Sequence, residues 1–166
     1  MSAFDEIFHE MGFSPRSGQH HASAAMYALA RTTSLVVREL STIYQRFGLT
    51  AASFNLLMLL QHGQDPASFT QQELSRRLIV SPSDITGLVD RLEKKQLVKR
   101  SAGRDRRSKR LRITPKGPAL LDEVWPHHVQ AITRLTSGLI RTDLDALLAI
   151  LSRIRFAASH PTTEPA

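Results

Sequence analysis

Eleven lysines and arginines stand between Arg91 and Arg112, in the run RLEKKQLVKRSAGRDRRSKRLR, against two acids. That segment carries a net charge of +9 while the whole chain carries +7, so everything else sums to −2. A folded chain that gathers its excess charge in one short stretch has a polyanion as its expected partner. Leu97, Val98, Leu111 and Ile113 flank the turn-like SAGRD, so two short strands are predicted to carry the charge out to a hairpin tip. A hairpin of that kind can enter a groove of nucleic acid. Arg104, Asp105, Arg106 and Arg107 occupy the tip, with Lys109 just beyond. A narrow A-tract groove concentrates negative potential and favours an inserted arginine, and the neighbouring Asp105 reduces the freedom that arginine loses on binding. The alternative is a solvated ion pair worth about 0–1 kcal/mol.

The segment before the basic run is built to be read by a partner. Ser81-Pro82-Ser83-Asp84 opens a helix, with serine as N-cap, proline in the first position and an acid in the first turn. Ile85, Leu88, Val89 and Leu92 fall at i, i+3, i+4, i+7 and form a buried stripe. Ser83, Thr86, Gly87, Asp90 and Lys94 form the opposite stripe, with Arg91 beside it. Ser83 and Thr86 can donate to phosphates or base edges. Asp84 either accepts from a cytosine amino group or serves as a helix-start carboxylate favoured by the dipole. Gly87 costs roughly 1 kcal/mol in a helix interior, and either close approach of DNA or tight packing on a neighbour explains it.

Thr70-Gln71-Gln72-Glu73 is a capping box that starts a shorter helix upstream. Thr70, Gln71 and Arg77 on that helix are candidate phosphate contacts, with a structural role equally open to Arg77. Lys94, Lys95, Lys99 and Arg100 are read as phosphate contacts or steering charge. Two short helices joined by a tight turn at Ile79-Val80, then a hairpin, make a winged helix-turn-helix.

The rest of the chain must position this unit. At 166 residues and 42% hydrophobic, it is long enough for one domain with a core. Residues 1–18 read as a flexible arm and 19–48 as a long N-terminal helix, in which Tyr27, Ala30, Ser34, Val37, Leu40, Tyr44 and Phe47 recur at helical spacing. Thr50 caps the next helix, whose FNLLMLL core suits a central buried position. The winged unit spans 49–121. Helices follow over 122–158, with a bend expected at Pro126 and a break at Gly138, and 159–166 is tail.

The absence of cysteine excludes disulfides and thiolate ligation of zinc. No signal peptide or membrane-length apolar run is present, so a cytoplasmic protein is expected. His20-His21 and His127-His128 are adjacent pairs, which point about 100° apart on a helix and rarely chelate together. No metal or cofactor is expected. No GxSxG, HExxH, Walker or dinucleotide glycine pattern appears, so the chain reads as a non-enzyme.

LTAASFNLLMLLQHG, FTQQELSRRLIVSPSDITGLVDRLEKKQLVKR and DRRSKRLRITPKG together resemble the MarR family (multiple antibiotic resistance regulators) over about Leu49 to Leu121. The most specific part is Asp105-Arg106-Arg107, followed by a strand into Thr114 and Lys116-Gly117. The resemblance implies a mainly α fold: a winged helix-turn-helix with long N- and C-terminal helices forming a dimerisation region. It implies a homodimer on a pseudo-palindromic duplex operator, with Arg107 as the arginine entering the minor groove. It further implies a repressor released by a small aromatic or lipophilic ligand, bound where the dimer base meets the DNA-binding lobe. Tyr27, Arg31, Phe54, Met58 and Trp125 are then the ligand candidates, against ordinary packing for all five. Gln96 stands where the family favours glycine, and glutamine is a poorer left-handed cap. Two rival classes remain: an architectural DNA-binding protein with little sequence preference, and a basic surface that docks acidic proteins or membranes.

Overall fold

The computed structural model describes residues 3–10, 21–63, 69–78, 82–102 and 109–160. In chain order the elements are α1 (Ala3–Glu10), α2 (His21–Arg46), α3 (Ala51–His62), β1 (Phe69–Thr70), α4 (Gln71–Leu78), α5 (Pro82–Lys94), β2 (Val98–Ala102), β3 (Lys109–Ile113), α6 (Lys116–Leu135) and α7 (Arg141–Ser159). The fold is mainly α with one small antiparallel sheet, as expected. The chain divides into two compact units, 1–131 and 132–166.

In the first unit α3 runs through the centre. Thr50 caps it, its Oγ1 accepting the Ser53 N–H at 3.1 Å, and the Gly63 N–H closes it on the Leu59 carbonyl at 2.9 Å. Phe54, Leu56, Leu57 and Leu60 are all buried, as an apolar run without a polar face requires. The capping box of α4 forms in both directions: Glu73 Oε2 accepts the Thr70 N–H at 2.7 Å, and Thr70 Oγ1 accepts the Glu73 N–H at 3.2 Å. These bonds hold the Glu73 carboxyl below its ordinary pKa, chiefly the one from the Thr70 backbone. The stripe Ile85, Leu88, Val89 and Leu92 is buried, placing α5 on the core by the face the spacing indicates. Each such side chain gains about 1.5–3 kcal/mol relative to exposure.

The sheet has the order β1-β3-β2. β2 and β3 pair antiparallel with Val98 opposite Ile113, Lys99 opposite Arg112 and Arg100 opposite Leu111. β1 joins through Phe69 opposite Leu111. This two-residue strand is too short for any alternation to announce. α6 contains Pro118 in its first turn, where the missing N–H has no intrahelical partner to lose, and continues across Pro126.

One sequence expectation changes. Ala3–Glu10 is a helix packed on α2, where a flexible arm was expected. Gln96 occupies the left-handed cap position, at φ 59, where the family favours glycine. α7 begins at Arg141, where Asp143 Oδ2 accepts the Ile140 N–H at 3.0 Å. The link at Ile79-Val80 lies outside the described residues.

Candidate nucleic-acid interface

α4 and α5 present a helix pair, and β2–β3 rises directly after it. The second helix ends in a Schellman arrangement. The Leu97 N–H reaches the Leu92 carbonyl at 3.0 Å and the Gln96 N–H reaches the Glu93 carbonyl at 2.8 Å. The Thr114 hydroxyl donates to the Gln96 carbonyl at 2.6 Å, and the Thr114 N–H donates to the Leu97 carbonyl at 3.0 Å. The hairpin base is thereby tied to the end of α5, which fixes where the wing leaves the domain.

On α5, Asp84, Thr86, Asp90, Arg91 and Lys94 are exposed on the side away from the core, and Gly87 lies between them. Pro82 and Ser83 form the start of the helix, while Ser81 lies outside the described residues. A Cβ at Gly87 would meet only Arg91 Nη1, at 3.5 Å. Among the described residues, tight packing on a neighbour therefore does not account for this glycine.

The hairpin sorts its cations by strand alternation. Lys99 and Arg112 are directly paired, share the outer face and are both exposed. Like charges opposite each other destabilise a ladder, so this pair lowers stability unless a counter-charge approaches. Lys109 lies at the start of β3. Arg104, Asp105, Arg106 and Arg107 fall in the segment outside the described residues.

Three of the expected phosphate contacts also make contacts within the domain. Arg100 reaches two carboxylates of α5, Asp90 and Glu93, because its position in β2 points it inward. Lys95 Nζ donates to the Gly48 carbonyl, stapling the end of α5 to the end of α2. The Arg77 guanidinium sits 5.1 Å from the centroid of the Phe69 ring, a cation–π contact made by an exposed residue. Thr70 is occupied by the capping box, and Gln71 lies in the first turn of α4.

The five ligand candidates separate. Met58 and Trp125 line an open cavity of about 430 Å³ together with Gln61, His62, Leu121 and Asp122. Phe54 is buried and stacks on Tyr44 at 4.4 Å. Tyr27 and Arg31 do not line the cavity. Gln61 and His62 went unrecognised because they end an apolar helix, where polar residues read as its solvated last turn. Gln61 Oε1 is buried with no hydrogen-bond partner among the described residues.

Helix pair, tight cap and charged antiparallel hairpin define a winged helix-turn-helix protein. A family model described as MarR family matches residues 47–108. The HTH-type transcriptional regulator MhqR of Bacillus subtilis (strain 168) is 32% identical over 117 residues, spanning 69% of this chain and 78% of that protein. Among solved structures, a transcriptional regulator (MarR family) from Rhodococcus sp. RHA1 has a TM-score of 0.73 at 26% identity, covering 84% of this chain and 97% of that one. The transcriptional repressor CouR bound to a 23-mer DNA duplex has a TM-score of 0.73 at 29% identity, covering 86% and 99%. CouR from Rhodococcus jostii RHA1 is also seen bound to p-coumaroyl-CoA. The chain belongs to the MarR family and is a transcriptional regulator of that type.

Proposed function

We propose that this protein is a homodimeric repressor that grips a short pseudo-palindromic DNA operator and is released by a small aromatic or lipophilic ligand. The observation that carries the DNA reading is the directly opposed Lys99–Arg112 pair on the exposed face of the hairpin. That pair is adverse in the free protein and relieved beside phosphates. α5 supports it with a polar outward face and a glycine where, among the described residues, an added Cβ would meet only the Arg91 guanidinium. In this reading Thr86 and Gly87 face the major groove, Arg107 enters the minor groove, and Lys94, Lys99 and Arg112 meet phosphates.

The dimer reading rests on uncovered apolar surface. α7 has no buried residue, yet Leu147, Leu148, Ile150 and Phe156 are 45–67% exposed. Met26, Leu35 and Val37 of α2 are also exposed. A second copy that covers these helices gives them the partner an amphipathic helix needs. The regions 19–48 and 122–158 would then form the dimer base and 49–121 the DNA-binding lobe. CouR, a repressor with a bound acyl-CoA, supports release by ligand. The cavity beside Met58 and Trp125 is of ligand-holding size, and the Gln61 carbonyl suits a ligand that donates one hydrogen bond. The protein acts by binding, without catalysis. Among the described residues no helix is long and apolar enough to cross a membrane.

Selection of bound fragments from the source genome, followed by binding titrations, tests the reading. An inverted repeat with half-sites about one helical turn apart is expected. Arg107→Ala should weaken operator binding by roughly 1–3 kcal/mol. Lys99→Ala should shallow the salt dependence by about one unit without changing sequence preference. Equal affinity for random duplex would replace this reading with an architectural one. Full-strength binding by a monomer would remove the two-half-site model.

A further inference from the structure

We propose that Arg100 is a positioning residue that locks the wing to the recognition helix α5, an inference that rests on the DNA-binding reading above. By composition it looks like one more phosphate contact, lying among the other cations of Arg91 to Arg112. Strand alternation decides otherwise. Directly paired residues of an antiparallel ladder share a face, and Arg100 pairs with Leu111, which is 1% exposed. Val98, two residues back on the same face, is also buried. The guanidinium therefore leaves β2 on the side that packs against α5, and its side chain is 26% exposed.

Asp90 and Glu93 receive it there, three residues apart and so on one face of the helix. Nη2 donates to Asp90 Oδ1 at 2.5 Å, and Nη1 donates to Glu93 Oε2. Glu93 Oε1 also accepts the Arg100 backbone N–H at 3.2 Å. One residue thus places three donors on two carboxylates of a single helix, a forked geometry that a lysine ammonium cannot reproduce. The hydrogen bond to Asp90 is the main cause that holds the guanidinium above its ordinary pKa.

Two consequences follow for DNA. The negative charge of Asp90, which stands on the outward stripe of α5, is neutralised before that face meets phosphates. The third turn of α5 is also tied to the middle of β2, so helix and wing address their grooves in one fixed relation. A lost clamp leaves the phosphate contacts in place and blurs their register. Sequence preference then suffers more than affinity for DNA in general.

The test measures binding to the selected operator and to random duplex across a salt series. It uses wild type, R100A and R100K, then repeats both changes in a D90N/E93Q background. R100A and R100K should each lower the operator-over-random ratio about tenfold, with the salt slope unchanged, and neither should add much in the D90N/E93Q background. If R100K binds as wild type does, the fork is not needed and the proposal is overturned. It is equally overturned if R100A weakens both duplexes alike and shallows the slope by about one unit, which is how a phosphate contact behaves. A wild-type protein without sequence preference would overturn the DNA-binding reading and this proposal together, whereas a selective wild type with a phosphate-like R100A overturns this proposal alone. Should R100A fail to fold, as judged by circular dichroism, R100K carries the same comparison.

Discussion

Tyr44 Oη lies 2.9 Å from Nδ1 of His128, joining α2 to α6 across 84 positions of sequence. Phe54 of α3 packs on both rings, at 4.4 Å from Tyr44 and 5.1 Å from His128, and Trp125 lies 5.3 Å from His128. Three helices of the first unit therefore meet at one hydrogen bond inside an aromatic cluster, next to the cavity that Trp125 lines.

Burial raises the Tyr44 pKa and lowers that of His128, so both are neutral in the folded protein around neutral pH. Tyr44 is the titratable group facing His128; Phe54 and Trp125 present uncharged rings. The unfolded chain binds a proton at the ordinary histidine pKa of 6.5, while the folded one resists it. The stabilisation is thus fully present above pH 6.5 and declines as the pH falls through 6.5 towards the lower folded value. Urea titrations at pH 8 and pH 5.5 should show a drop in midpoint that shrinks in His128→Phe. Tyr44→Phe should cost about 0.5–1.5 kcal/mol at pH 8. An unchanged midpoint in Tyr44→Phe would mean that the bond contributes nothing.

Gln96 holds φ 59 at the end of α5, a conformation that costs a residue with a Cβ about 1–2 kcal/mol. Gln96→Gly removes that strain, gives up the Lys116–Gln96 hydrogen bond, and adds freedom to the unfolded chain. The balance should be a gain of about 0.5–1 kcal/mol. Thermal melts would read it as a rise in Tm, and a fall would show that the glutamine side chain matters more than its backbone.

Gly117 is held against the hairpin base. A Cβ there would lie 2.3 Å from Ile113 Cγ1, 2.6 Å from its Cδ1 and 3.1 Å from the Leu97 carbonyl oxygen. The isoleucine has limited room, and the carbonyl belongs to backbone already bonded to Thr114. Gly117→Ala should destabilise the first unit by about 1–3 kcal/mol. Denaturant melts that match wild type would show that the hairpin base yields more freely than its packing indicates.

Local signals were readable from the residues alone wherever neighbours in sequence are neighbours in space. The Thr70–Glu73 box, the Thr50 cap and the buried stripe of α5 span four to eight residues each, so spacing announces them. Composition likewise located the charge. Three features resisted. β1 is two residues long and exists because β3 offers it an edge. The α1 segment carries Gly and Pro after it and reads as an arm, yet it finds a surface on α2. The cavity joins residues near position 60 to residues near position 122, and no pattern links them.

Charge, family motifs and the two-helix-plus-hairpin order were carried by the amino-acid string, because they depend on residue type and short spacing. Which cation faces outward and which turns inward was decided by tertiary structure. Lys99 and Arg100 are adjacent and chemically alike, but the pleat sends them to opposite faces, and only the arrival of α5 with Asp90 and Glu93 turns one of them into a clamp. Long-range packing sets such partnerships, and a sequence pattern carries no record of it.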